Sequence, residues 1–296
     1  MRKISALLTA ALICTAILCG CSGTNEKADG KLTVYATVYP VYDFANKIGG
    51  EYAEVISAAP KGAEPHDYEP TAQDMIAFCE ADLLIYNGAG FEHWIDKVRE
   101  TLKDSNVVFV NTSDGADLIS EGSALDPHIW LDPCIAKIQM QNIAEAFCAA
   151  DPENADYYKA NLEKYTEQLN QLDESFKDAA AKLPQKNIIT SHCAFGYMCR
   201  EYGFNQISAE GSSAGSEPSP ADMAKIVDFA NENKIKTVFY ADGESTSTAE
   251  AIAKEINGDY RPLYSIERLS DEQEQSGSDY FSLMNENLET LKEVLK

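Results

Sequence analysis

Residues 151–183 read DPENADYYKANLEKYTEQLNQLDESFKDAAAKL, and the fold turns on them. The stretch holds no glycine, and its one proline, Pro152, lies at the start; Pro184 closes it. Tyr158, Leu162, Tyr165, Leu169, Leu172, Phe176, Ala179 and Leu183 recur at alternating steps of four and three, the spacing of one helical stripe. The pattern predicts a single helix of about thirty residues, roughly 45 Å long at 1.5 Å per residue. A coiled-coil dimer would use the same stripe. Three aromatics on the seam, and the character of the flanking sequence, favour a rigid helix packed between two halves of one chain.

On both sides, short β-type runs alternate with helical patterns. KLTVYATV (31–38), AEVISAA (53–59), DLLIYN (82–87) and NVVFVN (106–111) precede the long helix. Helix patterns accompany them near residues 42–48, 71–80, 91–102 and 133–150. KNIITS (186–191), NQIS (205–208), KTVFY (236–240) and a short RPLYSI strand (261–266) follow. Thr71-x-x-Asp74 forms a capping box, and Asp132-Pro133 and Ser219-Pro220 place a cap before a proline at the first helical position. A last helix spans 279–295. This is the grammar of two parallel α/β lobes, 32–150 and 185–296, joined by a linker helix at 151–184.

The N-terminus stands apart. Arg2 and Lys3 precede the uncharged apolar run SALLTAALICTAILCG (5–20), too short for a good membrane span and of the kind found in export signals. Residues 1–20 are expected to be removed, leaving 21–31 as a flexible tether. Leu18-Cys19-Gly20-Cys21 resembles the lipobox of bacterial lipoproteins, which implies cleavage before Cys21 and lipid attachment to its thiol. The whole chain carries a net charge of −24, and loss of residues 1–20 makes it two more negative. Such a surface repels phosphate backbones and excludes nucleic acid as a partner. Five cysteines remain beyond Cys21, an odd number without a CxxC pair, so no disulfide framework is expected. They are expected to be mostly small buried hydrophobes, with Cys193 and Cys199 flanking a candidate site.

Three of the four histidines carry the chemistry. His66 lies in EPHDYEP (64–70), His128 in DPHIWLDP (126–133) and His192 in IITSHCAFGY (188–197), each expected where a strand has ended. Ligands of open parallel sheets bind beyond the carboxyl ends of the strands. The three are 62 and 64 residues apart, so only a cleft between the lobes brings them together. Converging imidazoles point to a borderline-soft divalent metal, zinc first. His93, on a helix pattern beside Trp94, is expected to be structural. Glu64, Asp67 and Glu69 flank the first histidine, and Asp126 and Asp132 the second. Any of them serves either as an acceptor for a non-ligating ring N–H or simply as a turn former.

EPHDYEPTAQDM, ADLLIYNGAGFEHW, DPHIWLDP, ITSHCAFGYMCREYGF, EPSPADMAKI and SGSDYFSLMNENLETL occur in this order over nearly the whole mature chain. Together they resemble the zinc/manganese-specific solute-binding proteins of bacterial ABC transporters. The resemblance implies one metal held between two lobes, with His66, His128 and His192 as ligands. It places a fourth, acidic ligand in the C-terminal loop, where SIERLS (265–270) points to Glu267; water, Cys193, Asp242 or Asp271 are the alternatives. It further implies a monomeric, lipid-anchored extracytoplasmic receptor that is not an enzyme and that delivers Zn²⁺ to a permease. Mn²⁺ is the alternative cargo, and histidine at 192 tilts the choice to zinc because manganese members use two carboxylates. A zinc hydrolase, or an adhesin with a structural metal, are the readings from other classes. Two departures from the family stand out: Cys193 replaces a common aspartate, and TSDGADLISEGSAL (112–125) has no histidine where many zinc members carry a His-rich loop.

Overall fold

The computed structural model describes residues 30–122, 124–209, 218–241 and 245–296. The proposed export signal, Cys21 and Asp242 lie outside them.

In the first half, β1 (Leu32–Ala36), α1 (Tyr39–Gly49), β2 (Ala53–Ser57), α2 (Ala72–Glu80), β3 (Leu83–Tyr86), α3 (Ile95–Thr101) and β4 (Val108–Asn111) follow one another. Their strands form a wholly parallel sheet in the order β2-β1-β3-β4. Period-two burial along β1 sends Val34 and Ala36 into the main core, while Tyr35 packs edge-on against Phe78 of α2 on the other face. The capping box at Thr71 and Asp74 is formed as expected. A small antiparallel pair, β5 (Ser120–Glu121) and β6 (Ala124–Leu125), leads to α4 (Pro133–Ala150), capped by Asp132 through the Cys134 N–H.

After one 3₁₀ turn at Pro152–Asn154 comes α5 (Ala155–Lys182), whose 28 residues span roughly 42 Å. Its stripe is buried within the chain: Tyr158, Leu169, Leu172, Phe176 and Ala179 join the main core. Helix α5 packs along α4 and touches α1.

The second half runs β7 (Asn187–Thr190), α6 (Gly196–Tyr202), β8 (Asn205–Ser208), α7 (Pro220–Glu232), β9 (Thr237–Tyr240), α8 (Ser247–Glu255), β10 (Asp259–Pro262), α9 (Asp271–Ser276) and α10 (Tyr280–Val294). Its sheet is again wholly parallel, in the order β10-β9-β7-β8. The last helix crosses back to the first half: Tyr280 meets Phe44 of α1 at 4.8 Å between ring centroids, and Lys47 pairs with Asp279 at 2.9 Å. One continuous apolar core therefore runs through both halves, from Leu32 to Leu295, and each sheet has a smaller core on its outer face.

The RPLYSI segment departs from expectation. The strand ends at Pro262, and LYSI continues as a mostly buried loop. Its backbone groups are met mainly outside the ladder. Asn287 of α10 accepts from the Tyr264 N–H (2.7 Å) and donates to the Tyr264 carbonyl (2.8 Å), while the Ser265 carbonyl takes the Trp130 indole N–H (2.7 Å). The cysteines differ as well: only Cys199 is buried, Cys79 is exposed, and Cys134, Cys148 and Cys193 are half-buried. Among the described residues no helix is long and apolar enough to cross a membrane.

Candidate metal centre

His192 stands two residues beyond β7, as a strand-end residue should. The other two histidines are displaced from that expectation. His66 lies nine residues past β2 inside a 3₁₀ turn that starts with Pro65, and His128 is the N-cap of a second such turn, Ile129–Leu131. They still reach the same crevice because every crossover of a parallel sheet leaves from its carboxyl edge, however long the loop.

The four expected residues converge. His128 Nε2 and His192 Nε2 are 3.1 Å apart, and His66 Nε2 is 3.1 Å from Glu267 Oε2. Glu267 Oε1 lies 3.4 Å from His128 Nε2 and 3.5 Å from His192 Nε2. One donor atom from each residue falls within 4.8 Å of all the others. His128 and His192 are fully buried and Glu267 nearly so. His66 Nε2 and Glu267 Oε1 are buried without a hydrogen-bond partner, a costly state unless a further group meets them. The donor set therefore fits a metal ion.

Neighbouring groups fix each donor. Asp126 Oδ1 accepts from both the His128 N–H (3.0 Å) and its ring Nδ1 (2.8 Å), leaving Nε2 for the site. Tyr197 holds the Asp126 carbonyl (2.8 Å). The His192 carbonyl accepts from Thr190 Oγ1 (2.7 Å) and Gln206 Nε2 (3.0 Å). Trp130 binds several parts together, with its ring near those of His128 and Phe91, its N–H on Ser265 and its carbonyl on Tyr280. Glu267 follows Ile266, a buried β-branched residue at φ 63°, a conformation that costs about 1–3 kcal/mol and marks a constrained loop.

Charge is arranged to match. Burial pushes the Glu267 carboxyl up, but the three imidazoles outweigh it and hold it well below its ordinary range. Burial disfavours charge on His128 as well, yet Asp126 and Glu267 raise its pKa to about 9.

Of the other acids flagged in the sequence, Glu64 meets Arg268 (3.4 Å), Asp67 sits in the turn around His66, Glu69 lies 3.6 Å from His93, and Asp132 caps α4. His93 is exposed and outside the cluster. Asp271 is on the surface, paired with Lys61, and Cys193 does not belong to the cluster. A second group, Cys134, Asp173 and Glu201, is already bridged by Lys177, at 2.9 Å from Asp173 and 3.0 Å from Glu201. Trp130, Tyr197 and Gln206 escaped the sequence reading, since nothing in their local spacing marks them.

The family described as ZnuA, zinc-uptake complex component A, periplasmic, matches residues 34–294. The chain belongs to that family. The ZnuA protein of a high-affinity zinc uptake system in Bacillus subtilis is 36% identical, over 94% of this chain and 92% of its own length. The zinc-binding lipoprotein AdcA of Streptococcus pneumoniae is 31% identical over 99% of this chain, which spans only 61% of AdcA. Among solved structures of the family, the metal-dependent lipoprotein YcdH of Bacillus subtilis superposes with a TM-score of 0.81 at 37% identity, over 90% of this chain and 99% of its own. Zn(II)-bound AdcA from Streptococcus pneumoniae gives 0.80 at 31% identity, over 90% of this chain and 58% of its own. Both the two-lobed fold and the family resemblance drawn from the sequence hold.

Proposed function

We propose that the protein captures Zn²⁺ outside the cytoplasm and hands it to the permease of an ABC importer, with His66, His128, His192 and Glu267 as ligands. The donor spacing carries this reading. A tetrahedral ion with bonds of about 2.0–2.1 Å needs donor–donor edges of about 3.3 Å. Four donor pairs here, counting both Glu267 oxygens, lie 3.1 to 3.5 Å apart, and each of the four residues offers an atom within 4.8 Å of the others. Three imidazoles and one carboxylate suit zinc, whereas manganese favours an oxygen-rich octahedral set. Four protein donors also leave no coordination position for a reactive water, which supports a receptor over a hydrolase. A shared core beneath the site supports a protein that stays folded when empty, as a carrier must. Membership in a family of zinc-uptake components supports the permease as partner. Cys21, behind an export signal, is the proposed lipid anchor that keeps the receptor beside it.

The test is elemental analysis of protein purified without added metal, then competition between the protein and a chromophoric chelator. One Zn²⁺ per chain is expected, bound far more tightly than Mn²⁺. Mn²⁺ binding of equal strength would overturn the zinc assignment. Retention in the membrane fraction should disappear in Cys21→Ser.

A further inference from the structure

The loop NGAGFE, residues 87–92, is costly to build. Gly88, Ala89 and Gly90 are consecutive left-handed residues at φ 77°, 51° and 82°. A Cβ at Gly88 would lie 1.9 Å from Asn111 Oδ1 and 2.4 Å from Ser113 Oγ, so those side chains would have to move, and the φ of 77° itself favours glycine. In this turn the N–H groups of Asn87 and Gly88 face the same side, a concavity that attracts negative charge, while that of Ala89 turns away to Ser113 Oγ. Here the loop's own Glu92 fills it. Its carboxylate accepts from the Asn87 N–H (2.8 Å), the Gly88 N–H (3.0 Å) and the Thr37 hydroxyl (2.5 Å), and the residue is only 4% exposed. A carboxylate in such a place, met by neutral donors instead of a cation, is a poor choice for stability alone.

Its connections lead to three of the four proposed ligands. Phe91, the adjoining residue, packs on the His66 ring at 4.6 Å. Asn87, whose N–H the carboxylate holds, donates through its side chain to the Pro127 carbonyl (2.9 Å), immediately before His128. Thr37 stands two residues before Tyr39, whose N–H donates to the Glu267 carbonyl (3.3 Å). We propose that Glu92 is a positioning residue for metal capture, its buried carboxylate fastening together the loops that carry His66, His128 and Glu267. The site is thereby held in its binding geometry before the ion arrives. This rests on the metal-receptor reading of the four-donor cluster.

The experiment compares wild type, Glu92→Gln and Thr37→Val with Leu169→Ala, a control that weakens the core through α5, far along the chain from every ligand. Folding is followed by circular dichroism and melting of the metal-free proteins. Zn²⁺ affinity is measured by chelator competition, and coordination geometry by the visible d–d bands of Co²⁺ placed in the site. In Glu92→Gln an amide NH₂ replaces one acceptor and faces a donor. Zn²⁺ should bind about ten-fold or more weakly, with altered Co²⁺ bands, while the control melts lower but keeps wild-type affinity and bands. Folded Glu92→Gln with wild-type affinity and an unchanged Co²⁺ spectrum overturns the proposal. If Glu92→Gln does not fold, Thr37→Val decides: weaker binding with altered bands supports the proposal, and unchanged values overturn it. Failure of the wild type itself to bind Zn²⁺ would instead sink the reading of the cluster, and this proposal with it.

Discussion

His128 is held by carboxylates on both ring nitrogens, Asp126 at Nδ1 and Glu267 near Nε2. With a pKa of about 9 it is protonated in the metal-free protein at neutral pH, and Zn²⁺ must displace that proton. Calorimetry in buffers of different ionisation enthalpy should therefore detect release of about one proton per Zn²⁺ at neutral pH. Apparent affinity should weaken by up to about ten-fold per unit as pH falls below 9. Stability of the empty protein has the opposite dependence. The pKa is raised above its ordinary 6.5, so the stabilisation is complete below 6.5 and is lost as pH rises through about 9. The melting temperature of the metal-free protein should fall over that window, and that of the zinc-loaded protein should fall less. Asp126→Ala should cost about ten- to a hundred-fold in Zn²⁺ affinity, because the ring loses the acceptor that orients it. Glu267→Ala should remove one oxygen from the zinc shell seen by X-ray absorption, and His93→Ala should change nothing. An unchanged shell in Glu267→Ala would exclude that residue as a ligand. The three histidines were legible in the sequence because so few exist and two follow proline. Glu267 was legible only through family resemblance, since an acid in an exposed-looking SIERLS loop carries no signal of burial. Trp130 and Glu92 were not legible, because their partners lie up to 150 residues away in the chain.

Helix α5 shows what an element can reveal before its surroundings are known. Its period announced a long helix, and packing against α4 and α1 accounts for the stripe without a second chain. Leu169, fully buried at the middle of that stripe, is a direct probe. Leu169→Ala should destabilise the protein by about 2–5 kcal/mol, measured by denaturant unfolding with the slope unchanged. The strands of both sheets were legible from apolar runs bounded by loop residues, and three helix starts from their caps. The failures share one cause. LYSI has the composition of a strand, but Asn287 and Trp130 supply the hydrogen bonds that a neighbouring strand would have supplied. The turns around His66 and His128 were invisible for a related reason: prolines announce that a strand has stopped, and do not say how far back.

At the scale of the molecule, a core shared by both halves resists hinge motion. Small-angle scattering of the empty and zinc-loaded protein should give nearly the same radius of gyration, leaving local loop movement as the route for the ion. A contraction of the kind seen when two independent lobes close would refute this. The return of α10 onto α1 has a different consequence, one of timing. Phe44 and Lys47 belong to the first fifth of the chain, and their partners Tyr280 and Asp279 to the last eighteen residues. The N-terminal half cannot complete its packing until synthesis is almost finished. A chain ending before Asp279 should accordingly remain protease-sensitive throughout. Under the export proposed from residues 1–20, such a late closure would keep the nascent chain pliable until it has crossed.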